Sequence, residues 1–222
     1  MSRVHIICEG QTEETFIEKL LYEQLISKGI HLFPSLVGKP GHKGGNVKVE
    51  RLFTDIKARL LGDTSSFCTT FFDFYALPED FPGLKEAAKK SDIAKKAACV
   101  QDSLTGWLKE RLGSEPMLRF IPYVQMYEFE GLLFSNPEKL AQGIHKPDLA
   151  AKFASIREQF PTPEGINNDY ETAPSKRIEQ LCPKYAKPTD GLLAASAIGI
   201  DAIRRECALF NKWLNRIETL CS

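Results

Sequence analysis

The residues VHIICEGQTEE, Val4 to Glu14, change character halfway along. Val4, Ile6, Ile7 and Cys8 make an apolar, largely β-branched run of strand length. It stops at Glu9. Gly10 follows, a residue that lets the chain turn where a side chain would clash. From Gln11 a helical period takes over, with Phe16, Ile17, Leu20, Leu21 and Leu25 at three- and four-residue steps. A carboxylate therefore stands at the C-terminal tip of a predicted parallel strand, where open α/β sheets place their ligand crevice. Glu13 lies four residues on, at the start of the helix, and a tight turn lets it face the same crevice. Complementing the helix dipole is the other reading of Glu13, and the better one for Glu14.

A second apolar run, Phe67–Phe72, also ends in an acid, Asp73. Parallel strands joined by helices deliver both acids to one edge of a sheet. Asp at a strand end can instead cap the next helix. Here FYALPEDFPG, Phe74–Gly83, reads as a rigid aromatic loop, so a site role for Asp73 is favoured. The third informative stretch is QMYEFEGLLF, Gln125–Phe134, where Glu128 and Glu130 sit among large apolar residues. Buried acids need a cation or a ligand. The alternative for each is the wet face of an amphipathic strand.

Between these runs, Ile30–Val37 reads as a strand and Val47–Leu61 as an amphipathic helix. Ile93–Leu112 reads as a helix entered through Ser91-Asp92. Leu118–Gln125 reads as a further strand, at an edge or with Pro122 at a position whose N–H is not needed. The loop GKPGHKGGN, Gly38–Asn46, carries Lys39 and Lys43. It is either a phosphate-contacting loop or a plain connector, and its spacing is not that of a Walker A motif. After Phe134 the pattern is helical: Asn136-Pro137 opens a helix, Pro147–Phe160 is another, Ser175 caps a short one to Leu181, and Asp201–Leu220 is the last. Lys176 and Arg177 stand at a helix start, where the dipole disfavours cations; they either face an anion or are an accident of the surface. The expected architecture is α/β: a mostly parallel sheet flanked by helices over residues 1–134, with an α-helical extension, 135–222, packed on it.

The chain has 222 residues, 43% of them hydrophobic, enough for a sizeable core. Lys+Arg and Asp+Glu balance at 29 each, which argues against gripping nucleic acid by bulk charge but leaves room for a local basic patch. The six cysteines are dispersed with no CxxC pair, so no zinc or redox motif follows. No signal peptide or spanning segment is visible, and a cytoplasmic protein without membrane association is expected.

Strand–Glu–Gly–helix followed by a strand ending in Asp resembles the Toprim domain of topoisomerases, primases and overcoming-lysogenization-defect (OLD) nucleases. EGQTE, Glu9–Glu13, is similar to the EGxxE of the OLD-type nucleases, in which both acids bind metal. Over most of its length the chain resembles an uncharacterised bacterial Toprim-like family through EGQTE, DFYALP, YEFEGLLF, PEGIN (Pro163–Asn167), APSKRI (Ala173–Ile178) and IGIDAIRREC (Ile198–Cys207). The resemblance implies a Rossmann-like Toprim fold and an Mg²⁺- or Mn²⁺-dependent nuclease. Glu9 and Asp73 would hold the metal, and Glu13, Glu128 and Glu130 would complete the shell or act as base. Lys39, Lys43, Lys176 and Arg177 would meet the phosphates of a nucleic acid, with DNA favoured over RNA and neither settled by the sequence. It also implies an AAA-type ATPase partner in a bacterial defence system and is compatible with a homodimer. One departure matters. Tyr75 stands where the Toprim Asp-x-Asp motif has its second acid, so Glu128, Glu130, Glu79 or Asp80 fills the place, or the site holds one metal. A module that binds metal, nucleic acid or a protein without cleaving is the alternative, and a phosphotransferase using the Gly38–Asn46 loop is a third.

Overall fold

The computed structural model describes residues 1–38, 48–167 and 170–221. The expected loop lysines Lys39 and Lys43 lie outside the described residues. The chain forms two compact units, Met1–Val124 with Trp213–Ser222, and Gln125–Lys212.

The first unit is built on a four-stranded parallel sheet of order β2-β1-β3-β4: β1 Ser2–Cys8, β2 Ile30–Leu36, β3 Phe67–Phe71 and β4 Phe120–Ile121. The apolar runs form the strands because parallel strands are covered on both faces and cannot alternate. Val4, Ile6, Ile7 and Cys8 are all buried. β1 pairs with β2 on one side and β3 on the other, Cys8 standing opposite Leu36 and Phe71. The strand order thus reverses at β1, and the gap between the ends of β1 and β3 is the switch point of the sheet. β4 ends before Pro122, shorter than the expected 118–125 strand, and it is an edge.

Helices α1 (Gln11–Phe16) and α2 (Tyr22–Ile26) are joined by a π-helical segment, Ile17–Leu21. α3 covers Val49–Gly62, α4 Leu84–Ala88, α5 Ile93–Leu112 and α6 Ser114–Met117. α5 has the expected bounds because its ends carry strong signals. The Asp92 carboxylate accepts the Lys95 N–H at 2.7 Å, and Gly113 ends the helix at φ +84°. Trp213 belongs to this unit: its indole stacks on Tyr123 at 4.6 Å and donates to Thr69 Oγ1 at 2.9 Å.

The second unit is helical: α7 Glu130–Leu133, α8 Pro137–Gly143, α9 Ala150–Arg157, α10 Pro174–Leu181, α11 Lys187–Ile198, α12 Ile200–Glu206 and α13 Ala208–Glu218, whose last residues enter the first unit. The expected final helix is two, because Cys207 leaves the helical conformation at φ −112°, ψ 91°. α11 was not expected. Its buried residues are mostly small, Gly191, Ala194, Ala195 and Ile198, and they let it approach α8 closely. A Cβ on Gly143 would come within 2.5 Å of Ala194 Cα. No helix among the described residues is long and apolar enough to cross a membrane.

Candidate functional site

Glu9 and Asp73 are brought together by the sheet. The Glu9 N–H donates to Phe71 O at 3.3 Å, extending the β1–β3 ladder by one residue. The Asp73 N–H then donates to Glu9 Oε2 at 3.2 Å. One carboxylate thus sits on the backbone of the other, at the switch point. Asp73 precedes a single 3₁₀ turn, Phe74–Ala76, where the aromatic run was expected to be a loop, yet its side chain makes no capping bond to that turn. The capping role weighed against the site role is therefore not what the carboxyl does.

Glu13 joins the same turn by another route. It is only 6% exposed, and its Oε2 accepts the Gly10 N–H at 3.0 Å, the reaching-back half of a capping box. This also corrects the reason for Gly10. Its φ of −137° is open to any residue, but a Cβ there would stand 3.1 Å from Glu13 Oε2. Glycine makes room for the carboxylate. Burial, and next the charge of Glu13, push the Cys8 thiol well above its ordinary value, so Cys8 is an inert core residue. Glu14 is raised by burial and by Glu18. Tyr75 is half-buried, and Glu79 and Asp80 are exposed.

Glu9, Glu13 and Asp73 offer only carboxylate oxygens, the hard donors that Mg²⁺ and Mn²⁺ take. Among the described residues no three His, Cys, Asp or Glu side chains are grouped closely enough to hold a metal ion by themselves. Mg²⁺ keeps several waters and commonly rests on one or two carboxylates plus a substrate phosphate. A pair of strand-end carboxylates fits that habit.

In the second unit Glu128 and Glu130 are neither on a strand nor on one helix. Tyr127 is held at φ +63° and closes a three-residue turn in which the Glu128 N–H donates to Met126 O at 3.1 Å. A bulky residue in the left-handed region is strained by about 1 to 3 kcal/mol. Glu128 then meets the start of α10, its Oε2 accepting the Ser175 N–H at 2.8 Å and its Oε1 the Ser175 hydroxyl at 3.0 Å. Ser175, expected to cap α10, is instead held from across the unit. Glu130, 1% exposed, opens α7. Lys187 Nζ lies 3.6 Å from Glu128 Oε1 and 3.4 Å from Glu130 Oε2. Burial, then the Glu130 charge, push the Tyr185 phenol far up, so it stays neutral. Sequence reasoning missed Lys187, although its signal was present. It is a lysine at the first position of a helix, the same misplaced cation that drew attention to Lys176 and Arg177. Those two have near partners: Lys176 pairs with Glu179 at 2.8 Å, and Arg177 donates to Thr172 O at 2.7 Å beneath the Phe160 ring.

A family model described as "Domain of unknown function (DUF4276)" matches residues 8–218. Among solved structures the chain is similar to the C-terminal region of the Burkholderia pseudomallei OLD protein, at 17% identity and TM-score 0.49, over 100% of each chain. No curated protein matches it.

Proposed function

The chain belongs to the DUF4276 family, and from its sheet-edge geometry we propose that it is a Toprim-like, Mg²⁺- or Mn²⁺-dependent nuclease that hydrolyses phosphodiester bonds. The observation that carries this reading is the pairing of Glu9 with Asp73 at the switch point, the Asp73 N–H resting on Glu9 Oε2. The likeness of Glu9–Glu13 to the EGxxE of OLD-type nucleases supports it from the sequence side.

In this reading Glu9 and Asp73 hold the ion, which when bound polarises a phosphate and makes water a better nucleophile. Glu13, whose Oε2 accepts the Gly10 N–H, would complete the shell or act as the base. Glu128 and Glu130 are the remaining candidates for shell or base. Their contacts with Ser175 and Lys187 favour a supporting part. Lys176, Arg177, Lys39 and Lys43 neutralise backbone phosphates. DNA as substrate, an ATPase partner, a homodimer and a place in bacterial defence belong to the proposal on the resemblance alone, and a cytoplasmic location on the sequence pattern alone.

A second reading, a module that binds metal and nucleic acid or a protein without cleaving, is favoured by the lack of a three-ligand group among the described residues. Tyr75 at the place of the second Toprim acid also favours it. Glu9→Gln separates the two. The nuclease reading expects turnover of single- or double-stranded DNA with Mn²⁺ to fall about 100-fold or more, with oligonucleotide binding retained. Wild-type protein that binds Mn²⁺ yet cleaves no DNA or RNA substrate would instead establish the binding module.

A further inference from the structure

The break between α12 and α13 has an identifiable cause and an unused product. Glu164, 2% exposed, comes from the Pro163–Gly165 turn and accepts the Leu209 N–H at 2.9 Å and the Phe210 N–H at 2.8 Å. In an unbroken helix those two donors would bond to the carbonyls of residues 205 and 206. A carboxylate from another segment takes their place, and α13 starts afresh at Ala208. Helix breaks have local causes such as Pro, Gly or an inserted side chain. Here the sequence has neither Pro nor Gly at the break, and the inserted group is Glu164.

At the break lies a cavity of about 360 Å³ lined by Asp201, Arg204, Arg205 and Asn211. Arg204 comes from the last turn of α12, and its Nε donates to Asn211 Oδ1 at 2.8 Å. That bond orders the guanidinium and turns the Asn211 amide so that its N–H₂ group is a further donor. Arg205 is exposed beside it. Asp201 stands one helical turn before Arg205 and is a negative charge in the same lining. The nearby Glu206 is engaged by Arg157 at 2.9 Å. Guanidinium forks match phosphate oxygens bidentately.

We infer that this cavity is a phosphate-binding site, with Arg204, Arg205 and Asn211 as donors and Asp201 as the charge that the phosphate must overcome. It rests on the nuclease reading only for the source of the phosphate, a nucleic-acid backbone. It shares no residue with the carboxylates proposed to hold metal.

The test is binding of a fluorescent 20-nucleotide single strand in EDTA over a range of salt, which removes turnover from the measurement. For Arg204→Gln/Arg205→Gln the expected result is binding weaker by about tenfold or more and a log–log salt slope shallower by about 0.7 for each arginine. Arg205→Gln alone, at an exposed position, gives half of that slope change and stands in if the double variant folds poorly. Asp201→Asn tightens binding, which a purely structural role would not produce. Inorganic phosphate and a mononucleotide form the second arm. Arginine-dependent binding of these without oligonucleotide binding supports the site with a small phosphate ester as its source. Unchanged affinity and slope in the arginine variants, or no binding of strand, phosphate or nucleotide by the wild type, overturns the inference. Because EDTA removes metal and turnover from every one of these measurements, failure of the nuclease proposal is told apart from failure of this one.

Discussion

The acids of the sheet unit and the acids of the helical unit are held in different ways. Glu9 and Asp73 are placed by topology: two parallel strands end side by side, and the ladder runs on by one residue to set one carboxyl over the backbone of the other. Glu128, Glu130 and Glu164 are placed by compensation. Ser175 and Lys187 meet the first two, and a helix start meets the third. The difference teaches what each group is available for. A carboxylate set at strand ends takes its position from the backbone ladder, as the metal reading proposed above requires. A buried carboxylate anchored to a lysine or to backbone N–H groups is part of the fold, and removing its partner leaves an uncompensated charge.

The largest expected effect tests the compensated set through pH. Burial raises the Glu164 carboxyl from its ordinary 4.5 to about 7, the two backbone N–H groups only partly opposing it. Between these values the folded chain holds a proton that the unfolded chain has released. Stability is therefore full below the unfolded value and declines as pH rises through the folded one, by at most roughly 3 kcal/mol. Urea unfolding across that range, wild type minus Glu164→Gln, should show the decline only in the wild type. A rise with pH would mean that the helix N-terminus outweighs burial.

Lys187→Met comes next. It strips the ammonium from Glu130, but Lys187 is itself 39% exposed, so the loss is expected at about 2 kcal/mol, below that for a fully buried pair. Glu130→Gln/Lys187→Met should recover most of it by chemical denaturation, and a double variant no better than the single one would break the comparison. Ser175→Ala is expected to cost about 1 kcal/mol, since it removes the hydroxyl bond and leaves the backbone bond to Glu128. Smallest of all, Glu9→Gln should move stability by no more than about 0.5 kcal/mol, because an amide oxygen still accepts the Asp73 N–H. A loss as large as that of Lys187→Met would place Glu9 among the structural acids.

How much of this was readable beforehand depended on whether the signal was local. The strands β1 and β3, and the acids that end them, were readable because a run buried on both faces has a distinctive composition. α5 was readable to the residue because Asp92 and Gly113 mark it. α11 was not, since small residues packing against α8 give no apolar period. The roles of Ser175, Lys187 and Glu164 were not readable either, because each is fixed by a partner 46 to 57 residues away in sequence. Ser175 in particular has the residue type of a helix cap and the partner of something else. The gap between β1 and β3 as a switch point needed the strand order, which the pattern of runs does not contain.

The most direct measurement is calorimetric titration of Mn²⁺ into the wild type and into Glu9→Gln/Asp73→Asn, repeated with a short oligonucleotide present. Saturable binding in the wild type, lost in the variant while its melting temperature stays close to that of the wild type, is the result expected if the strand-end carboxylates hold the ion. Equal binding in both proteins, or none in either even with the oligonucleotide, would contradict it and leave Glu9 and Asp73 as acids of the fold.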